Sequence, residues 1–332
     1  MKRLAEIVGD FSRKRIVVIG DAIADQFLYG EISRVSREAP VFILRHEHTE
    51  TTPGGAGNCA ANLAALGARV SLLSVVGDDE HGRVLLEKLR AARVNCNDVL
   101  ISSNRKTTTK VRVLAGQIHS TRQQVIRIDY DSQPELEAKA REELLRSIQQ
   151  QVANSDAVII SDYNYGVAEP GISEVLKQSM ESSNVPVIVD SRFRLSSFGG
   201  FTSATPNEDE VAQLLHREPR DIAALASAAE QLRQQLGYQA LLVTRGSHGM
   251  MLIQVGAAPL HIDAVGSYQP VDVTGAGDTV IASYTLALAS GASFAEAARL
   301  ANFAGGLVVM KRGTATVTAD ELLSSIPQVE EA

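Results

Sequence analysis

Arg15-Ile-Val-Val-Ile-Gly-Asp21 is the stretch of sequence that decides the fold. A short run of β-branched residues that stops at a glycine and a carboxylate predicts a strand buried on both faces. Four later segments repeat this pattern, and each of them stops at a polar residue or a glycine: residues 71–76, 157–161, 185–190 and 240–244. The chain therefore carries at least five candidates for the strands of one central sheet.

Helical patterns lie between these strands, at residues 58–66, 135–152 and 222–236. Strands that alternate with helices predict a mostly parallel sheet whose two faces are both covered by helices. We therefore predict an α/β fold of the doubly wound type.

Two segments depart from this alternation. Residues 29–50 contain the apolar run Val41-Phe-Ile-Leu44, and residues 107–129 alternate with period two around a turn at Gly116-Gln117, which predicts a hairpin. We expect both to form a small β-sheet lid, inserted into the chain at about residues 27–50 and 107–130. Because no linker or repeat interrupts the sequence, we predict that residues 1–332 form a single domain.

Composition excludes several classes of protein. Apolar residues make up 45% of the 332 residues and charged residues 21%, as in ordinary globular domains, and the net charge of −7 argues against a general nucleic-acid binder. No run approaches ~18 apolar residues, so we expect no membrane helix. Residues 1–10 lack the apolar core of a signal peptide, and the two cysteines form no CxxC pair. These features predict a cytoplasmic protein with neither nucleic-acid nor membrane partners.

The glycine-rich segment with the clearest chemical meaning is Asp272-Val-Thr-Gly-Ala-Gly-Asp278, followed by a long run of small residues that predicts a helix. A glycine turn at a helix N-terminus presents unpaired N–H groups and the positive end of the helix dipole, which together attract anions. The dipole should also lower the pKa of Asp278, so we expect an ionised carboxylate that can accept a proton. The alternative is an ordinary loop-to-helix junction with an aspartate in its first turn.

A second glycine-rich segment, Pro53-Gly-Gly-Ala-Gly-Asn58, opens another predicted helix. Residues 55–60 match GxGxxA, and acidic residues follow about twenty positions later, so an NAD-dependent dehydrogenase is one alternative. The motif does not follow the first strand, however, as that fingerprint requires. Asn58 is suited to bind sugar hydroxyls because its amide both donates and accepts, although an N-cap role is the simpler alternative. The sequence contains no Walker A motif, which excludes a P-loop enzyme.

Together the two glycine-rich segments, with Gly67 and Gly77 following the first, resemble those of the PfkB/ribokinase family of carbohydrate kinases. The resemblance spans nearly the whole chain and implies a ribokinase-like fold with a β-sheet lid. It implies ATP and Mg²⁺ as cofactors, a small sugar or sugar phosphate as substrate, and a homodimer formed through the lid. It leaves open a requirement for a monovalent cation.

Residue roles follow from the same resemblance. Asp278 would be the catalytic base, and the N–H groups of Gly275, Ala276 and Gly277 would form an anion hole for charge on the transferred phosphoryl group. The positions that resemble sugar-binding residues are Asp21, Gly54, Gly55 and Asn58. Glu210, which follows Asn207 by three residues, would organise Mg²⁺. The positions that resemble nucleotide-binding residues are Asn207, Thr244, Arg245, Gly246, Gly249 and Asn302, although Arg245 could equally be a solvated surface arginine.

Within the family, several stretches resemble the heptose 7-phosphate kinases of ADP-heptose synthesis: residues 33–41, 161–163, 243–245 and 311–317. The implied reaction is phosphoryl transfer from ATP to the anomeric hydroxyl of D-glycero-D-manno-heptose 7-phosphate. Such kinases are often fused to an adenylyltransferase. No such domain fits after Lys311, so we expect a free-standing kinase.

Two positions depart from the heptose kinase pattern. Tyr165 stands where those kinases usually have a lysine, and Ser191-Arg192 replaces Pro-Lys. Arginine and lysine are not equivalent at a phosphate site. The arginines that could supply a phosphate-binding set are Arg34, Arg37, Arg192 and Arg194, but solvated surface positions would explain them as well. The acceptor could therefore be another sugar, such as fructose, ribose or a different sugar phosphate, and its anomer is open.

Overall fold

The computed structural model describes residues 2–116, 123–131, 135–180, 185–266 and 269–327. Over these residues the chain forms ten α-helices: α1 Lys2–Gly9, α2 Ala56–Ala65, α3 Glu80–Ala91, α4 Ala138–Val152, α5 Pro170–Met180, α6 Glu208–Leu214, α7 Ile222–Leu236, α8 Ala276–Ala289, α9 Phe294–Val308 and α10 Ala319–Ser325. It also forms thirteen strands: β1 Arg15–Gly20, β2 Ala22–Val35, β3 Phe42–Gly55, β4 Arg69–Gly77, β5 Val99–Ser102, β6 Thr109–Gly116, β7 Gln123–Tyr130, β8 Ala157–Asp162, β9 Val187–Ser191, β10 Ser203–Ala204, β11 Ala240–Thr244, β12 Met250–Gln254 and β13 Leu260–Ile262. Among the described residues, no helix is both long and apolar enough to cross a membrane.

Nine of the described strands form the main sheet, in the order β13-β12-β11-β10-β9-β8-β1-β4-β5. Strands from β11 to β5 pair in parallel, and β12 and β13 extend one edge antiparallel. The five strands predicted from sequence are β1, β4, β8, β9 and β11. The predicted doubly wound α/β fold is confirmed.

Strand β1 explains why the deciding stretch is apolar throughout. Ile16 and Val18 point into a core shared with α2, α8 and α9, whereas Val17 and Ile19 point into a second core shared with α4, α5 and α7. All four side chains are buried. A strand with helices on both sides has no solvent face, so alternation with polar residues is absent.

The carboxyl end of β1 marks the topological switch point of the main sheet. The chain continues from β1 to β4 on one side and later places β8 on the other. In open α/β sheets, ligands bind in the crevice where the strand order reverses in this way. Asp21, directly after β1, and Asp162, the last residue of β8, lie at this crevice.

The predicted lid is a separate four-stranded sheet in the order β3-β2-β6-β7 among the described residues. Its first pair begins at Ala22 and ends at Gly55, wider than the predicted 27–50, because the β2–β3 register already starts with Ala22 opposite Gly55. Strands β6 and β7 pair antiparallel as the predicted hairpin requires. Gln117 of the predicted turn lies outside the described residues.

Candidate active site

Asp278 lies in the first turn of α8 and is 4% exposed. Both of its carboxylate oxygens accept a hydrogen bond. The Asn58 side-chain amide donates to Oδ2 at 2.8 Å, and the Tyr163 hydroxyl donates to Oδ1 at 2.8 Å. Residues from α2, α8 and the end of β8 thus meet at one carboxylate.

The predicted lowering of the Asp278 pKa is wrong. Burial raises its pKa to about 7, although the hydrogen bonds from Asn58 and Tyr163 favour the anion and lower it. The helix N-terminus alone predicted an ordinary ionised aspartate. Removal from water outweighs that effect, and the pKa of this carboxyl lies near neutrality.

Asn58 is the third residue of α2, so the alternative N-cap role does not apply; the residue before α2 is Gly55, whose φ is 54°. Two further hydrogen bonds hold the Asn58 side chain in place. The Asn62 amide donates to Asn58 Oδ1 at 3.2 Å, and the Thr279 hydroxyl donates to Asn62 Oδ1 at 3.0 Å. Two helices therefore fix the amide that donates to the Asp278 carboxylate.

The glycine turn before α8 has the shape expected of an anion site. Gly275 has a φ of 76°, and a Cβ placed there would lie 2.4 Å from the Asn58 amide nitrogen. The Ala276 N–H already donates to the Val273 carbonyl at 3.2 Å. The N–H groups of Gly275 and Gly277 have no hydrogen-bond partner among the residues that the structure describes. Two of the three predicted donors are thus available to a ligand.

The segment after α9 connects this turn to the lid. The Asp272 carboxylate accepts from the backbone N–H groups of Thr274 and Gly313, both at 2.9 Å. The next residue, Thr314, contacts the hydroxyl of Thr52 on β3. We call residues 310–317 the bridging loop.

Asp21 holds the loop that carries Tyr163. Its carboxylate accepts from the backbone N–H groups of Tyr163, Tyr165 and Val167 at 2.9, 3.1 and 3.0 Å. Asp21 is 2% exposed, and burial raises its pKa despite these bonds. Asp21, a predicted sugar-binding residue, therefore fixes the loop that places the Tyr163 hydroxyl against Asp278. The sequence alone did not identify Tyr163 as a site residue.

One lid face adds charged groups that the sequence analysis missed. Asp25 on β2 pairs with Arg112 on β6, and Lys110 lies over the ring of Tyr163, 5.6 Å from its centre. The carboxylate of Asp25 explains the glycine at position 54, because a Cβ there would come within 2.4 Å of Asp25 Oδ2. Alternate residues of a strand, such as Lys110 and Arg112, share one face, but only the packing reveals that this face lies over Tyr163 and near Asp278. We call the space between this lid face and Asp278 the cleft.

A cavity of about 210 Å³ adjoins the glycine turn on the other side. Small residues of α8 and α9 and the loop after β11 leave it open; among those lining it are Thr244, Gly246, Gly249, Gly277, Asn302 and Gly306. A Cβ at Gly249 would lie 2.0 Å from the Ile262 carbonyl oxygen, so only glycine fits at this position of the β11–β12 turn. The predicted nucleotide positions around Thr244 and Asn302 thus line one cavity.

Comparison with known proteins agrees with this arrangement. Residues 13–321 match the model of the pfkB family carbohydrate kinases. The chain belongs to this family. It is a carbohydrate kinase, and the alternative of a dehydrogenase is not supported.

Solved structures share the ribokinase-like fold at low sequence identity. A ribokinase of Arabidopsis thaliana in complex with ribose and ATP matches 95% of this chain and 99% of its own, with a TM-score of 0.75 and 22% identity. Phosphofructokinase-2 of Escherichia coli matches 94% and 97%, with a TM-score of 0.75 and 18% identity. At these identities the likeness concerns the fold alone.

Curated relatives are closer in sequence. The bifunctional protein HldE of Desulfatibacillum aliphaticivorans is 41% identical over 317 residues, and that of Coxiella burnetii is 40% identical over 320 residues. These alignments cover 95% and 96% of this chain but only 64% and 65% of the relatives. The chain therefore spans less than two thirds of the length of these curated relatives.

Two carboxylates of this PfkB kinase fit a magnesium ion. Burial and the negative charges of Glu210 and Asp278 raise the pKa of Asp190, so a cation beside it would be favoured. Glu210 also closes the capping box of α6, where its Oε2 accepts from the Asn207 N–H at 2.9 Å. No cluster of three or more His, Cys, Asp or Glu suited to a metal occurs among the described residues. This arrangement suits Mg²⁺, which keeps several waters and takes one or two carboxylates.

Of the predicted cationic residues, two form ion pairs and the others are exposed. Arg194 pairs with Asp162 and donates to the Ala168 carbonyl at 2.7 Å, so it braces the β8 loop. Arg245, which stands between two residues that line the cavity, Thr244 and Gly246, pairs with Glu208 at 2.6 Å rather than being a free surface side chain. Arg192 is exposed after β9, and its positive charge opposes the rise that burial causes in the pKa of Asp190 and of Glu210. Arg34 lies at the exposed end of β2, and no described hydrogen bond or ion pair connects it to the cleft.

Proposed function

We propose that this kinase transfers the γ-phosphoryl group of ATP to the anomeric hydroxyl of D-glycero-D-manno-heptose 7-phosphate, in the cytoplasm. The observation that carries the proposal is the position of Asp278, between the cavity beside α9 and the cleft beneath the lid. The identity of the sugar rests on two agreeing facts. The sequence resembles heptose 7-phosphate kinases, which are often fused to a second enzyme, and the relatives HldE are bifunctional proteins longer than this chain.

In the proposed mechanism, Asp278 accepts the proton of the acceptor hydroxyl as its oxygen attacks the γ-phosphorus. The N–H groups of Gly275 and Gly277 would stabilise charge on the transferred phosphoryl group, where kinase catalysis is concentrated. The cavity lined by Thr244, Gly249 and Asn302 would hold the adenosine. The Asn302 amide donates a hydrogen bond of 2.7 Å to the Asp263 carbonyl, which fixes its position. It would therefore shape this cavity rather than move to contact the adenine ring.

Asp190 and Glu210 would hold Mg²⁺ through its waters. The ion, when bound, would neutralise negative charge on the phosphates. Arg192, which follows the same strand as Asp190, would add positive charge near the transferred group or the acceptor.

The test is ADP release from ATP and Mg²⁺ across a panel of acceptors: D-glycero-D-manno-heptose 7-phosphate, fructose, fructose phosphates, ribose and adenosine. We expect the heptose phosphate to give the highest kcat/KM. Preferred turnover of an unphosphorylated sugar would keep the kinase and reject the heptose assignment. The absence of ADP release with every acceptor, together with NAD binding, would reject a kinase.

We further propose a homodimer formed through the lid. Strand β7 is exposed along its whole length and carries Ile126 and Tyr130, which are 54% and 52% exposed. Phe42 at the start of β3 is 59% exposed. Large apolar side chains on an edge strand favour association with a second sheet.

A further inference from the structure

The lid face over the cleft carries five charged residues in two adjacent rows. In the first row, Asp25 of β2 stands opposite Lys110 of β6, which stands opposite Asp129 of β7. In the second row, Arg112 of β6 stands opposite Arg127 of β7. The face therefore holds three cations and two carboxylates.

Both arginines of this face are already paired. Arg112 forms an ion pair with Asp25, and both side chains are nearly buried. Arg127 forms two bonds to the carboxylate of Asp129, at 2.8 and 3.0 Å. The two carboxylates are thus taken by the two arginines, which leaves Lys110 as the excess charge.

Lys110 is 8% exposed, and its ammonium lies over the rings of Tyr163 and Tyr165, 5.6 and 5.8 Å from their centres. Within the described parts of the chain, its ammonium has neither a hydrogen bond nor a carboxylate within 4.0 Å. Burial lowers its pKa, and the charges of Asp25 and Asp129, which raise it, do not offset this burial and the positive charge of Arg192. A largely buried ammonium that has two aromatic rings beside it and no ion pair of its own among the described residues is destabilising unless an anion joins it.

We propose that Lys110 binds the phosphate of a phosphorylated acceptor sugar. The inference deepens the proposed function and rests on it for the position of the acceptor hydroxyl at Asp278. Tyr163 joins the two ends of this subsite, because its hydroxyl donates to Asp278 and its ring lies beneath Lys110. A sugar that places its hydroxyl at Asp278 and lies along Tyr163 brings its far end to the ammonium.

The inference also accounts for Tyr165. Where heptose kinases usually have a lysine, this chain has an aromatic ring that supports the ammonium of Lys110. The positive charge at the acceptor site is thus supplied by lid strand β6 instead of the loop after β8. Cation–π contact with two rings orients the ammonium without neutralising it.

The experiment compares Lys110→Met with Lys106→Met, which removes an exposed lysine just before β6. The readout is the ratio of kcat/KM for D-glycero-D-manno-heptose 7-phosphate to that for unphosphorylated D-glycero-D-manno-heptose. A charge-assisted bond to an anion is worth ~1.5–3 kcal/mol, so Lys110→Met should lower this ratio roughly tenfold to hundredfold. Lys106→Met should leave it unchanged.

A rescue variant separates the charge from a merely structural role. Adding Tyr165→Lys to Lys110→Met returns a cation to the loop and should restore most of the ratio, whereas adding Tyr165→Phe should not. An equal loss for both sugars, or no loss, would overturn the proposal, because Lys110 would then only pack against Tyr163.

Calorimetric binding of the heptose phosphate without ATP keeps the inference separate from the proposed function. Binding by the wild type that weakens at least tenfold in Lys110→Met supports the phosphate subsite even if no product forms. Equal binding by both proteins would overturn the subsite even if the kinase is active.

Discussion

At the scale of single residues, Asp278 is governed by two opposing effects. Burial favours its neutral acid, while the donors on Asn58 and Tyr163 favour its anion, and the resulting pKa is about 7. A general base works best when its pKa lies near the operating pH. The environment that the fold builds around this carboxyl therefore suits proton transfer in neutral solution.

The pH profile of kcat/KM should follow from this pKa. Because the base must be ionised, activity should be constant above about pH 7 and should fall roughly tenfold per unit below it. In Tyr163→Phe the break should move to higher pH, since a donor that favours the anion is lost. Initial rates across pH 5–9 test both statements. A wild-type break near pH 4 would contradict them.

Replacement of the base should separate chemistry from binding. Asp278→Asn keeps the size and one acceptor oxygen but cannot take the proton, so kcat should fall roughly 10²–10⁴-fold while the Kd for ATP stays nearly constant. Asp320→Asn, at an exposed position in α10, is the control and should retain full activity. Retention of most activity by Asp278→Asn would remove Asp278 from the mechanism.

At the scale of elements, the start of α8 depends on a glycine for two reasons. Gly275→Ala would incur the cost of a positive φ, ~1–2 kcal/mol, and would also press a methyl group against the Asn58 amide. Gly256→Ala has a similar φ of 73° but open space around it, so it should show only the first cost.

We therefore expect both glycine variants to lose thermal stability and only Gly275→Ala to lose activity. Loss of the bond between Asn58 and Asp278 should lower kcat/KM roughly tenfold to hundredfold. Melting curves and initial rates on the same preparations measure the two effects. Equal activity of both variants would show that Asn58 is not needed to hold the base.

Local signals decide which elements could be predicted from sequence. Helix α7 spans the predicted 222–236 because Asp221 caps its start through the Ala224 N–H and Gly237 ends it in a left-handed conformation. Helix α4 starts at Ala138 rather than 135, and no side-chain cap marks that start. Lid strands β2 and β3 extend beyond the prediction because their ends are fixed by pairing with each other and with β6, which periodicity does not reveal.

The site was predictable only where a motif carried it. The glycine turn and Asp278 were found because their spacing has a chemical meaning in one short segment. Asp25, Tyr163 and Lys110 were missed as site residues, since they come from separate strands and a loop, and only tertiary packing brings them to the cleft. The pKa of Asp278 was missed for the same reason, because burial is a property of the assembled fold.

At the scale of the whole molecule, the exposed lid edge predicts self-association. Light scattering at micromolar concentration should give the mass of a dimer for the wild type. Ile126→Glu places a charge in the middle of β7 and should give a monomer, whereas Val255→Glu, at a 63% exposed position after β12, should leave the dimer intact. A monomeric wild type would reject the proposed dimer.

The bridging loop has a consequence for the order of events in a working enzyme. It contacts Asp272 beside the glycine turn through Gly313 and contacts the lid through Thr314, so a lid shift driven by the acceptor would be transmitted to the turn where the phosphates would lie. Thermodynamic linkage makes any such influence reciprocal: the factor by which the sugar tightens the nucleotide equals the factor by which the nucleotide tightens the sugar. An enzyme with this coupling would bind ATP weakly when no sugar is bound and water is the only nucleophile present. It would thereby limit the hydrolysis of ATP without transfer to a sugar.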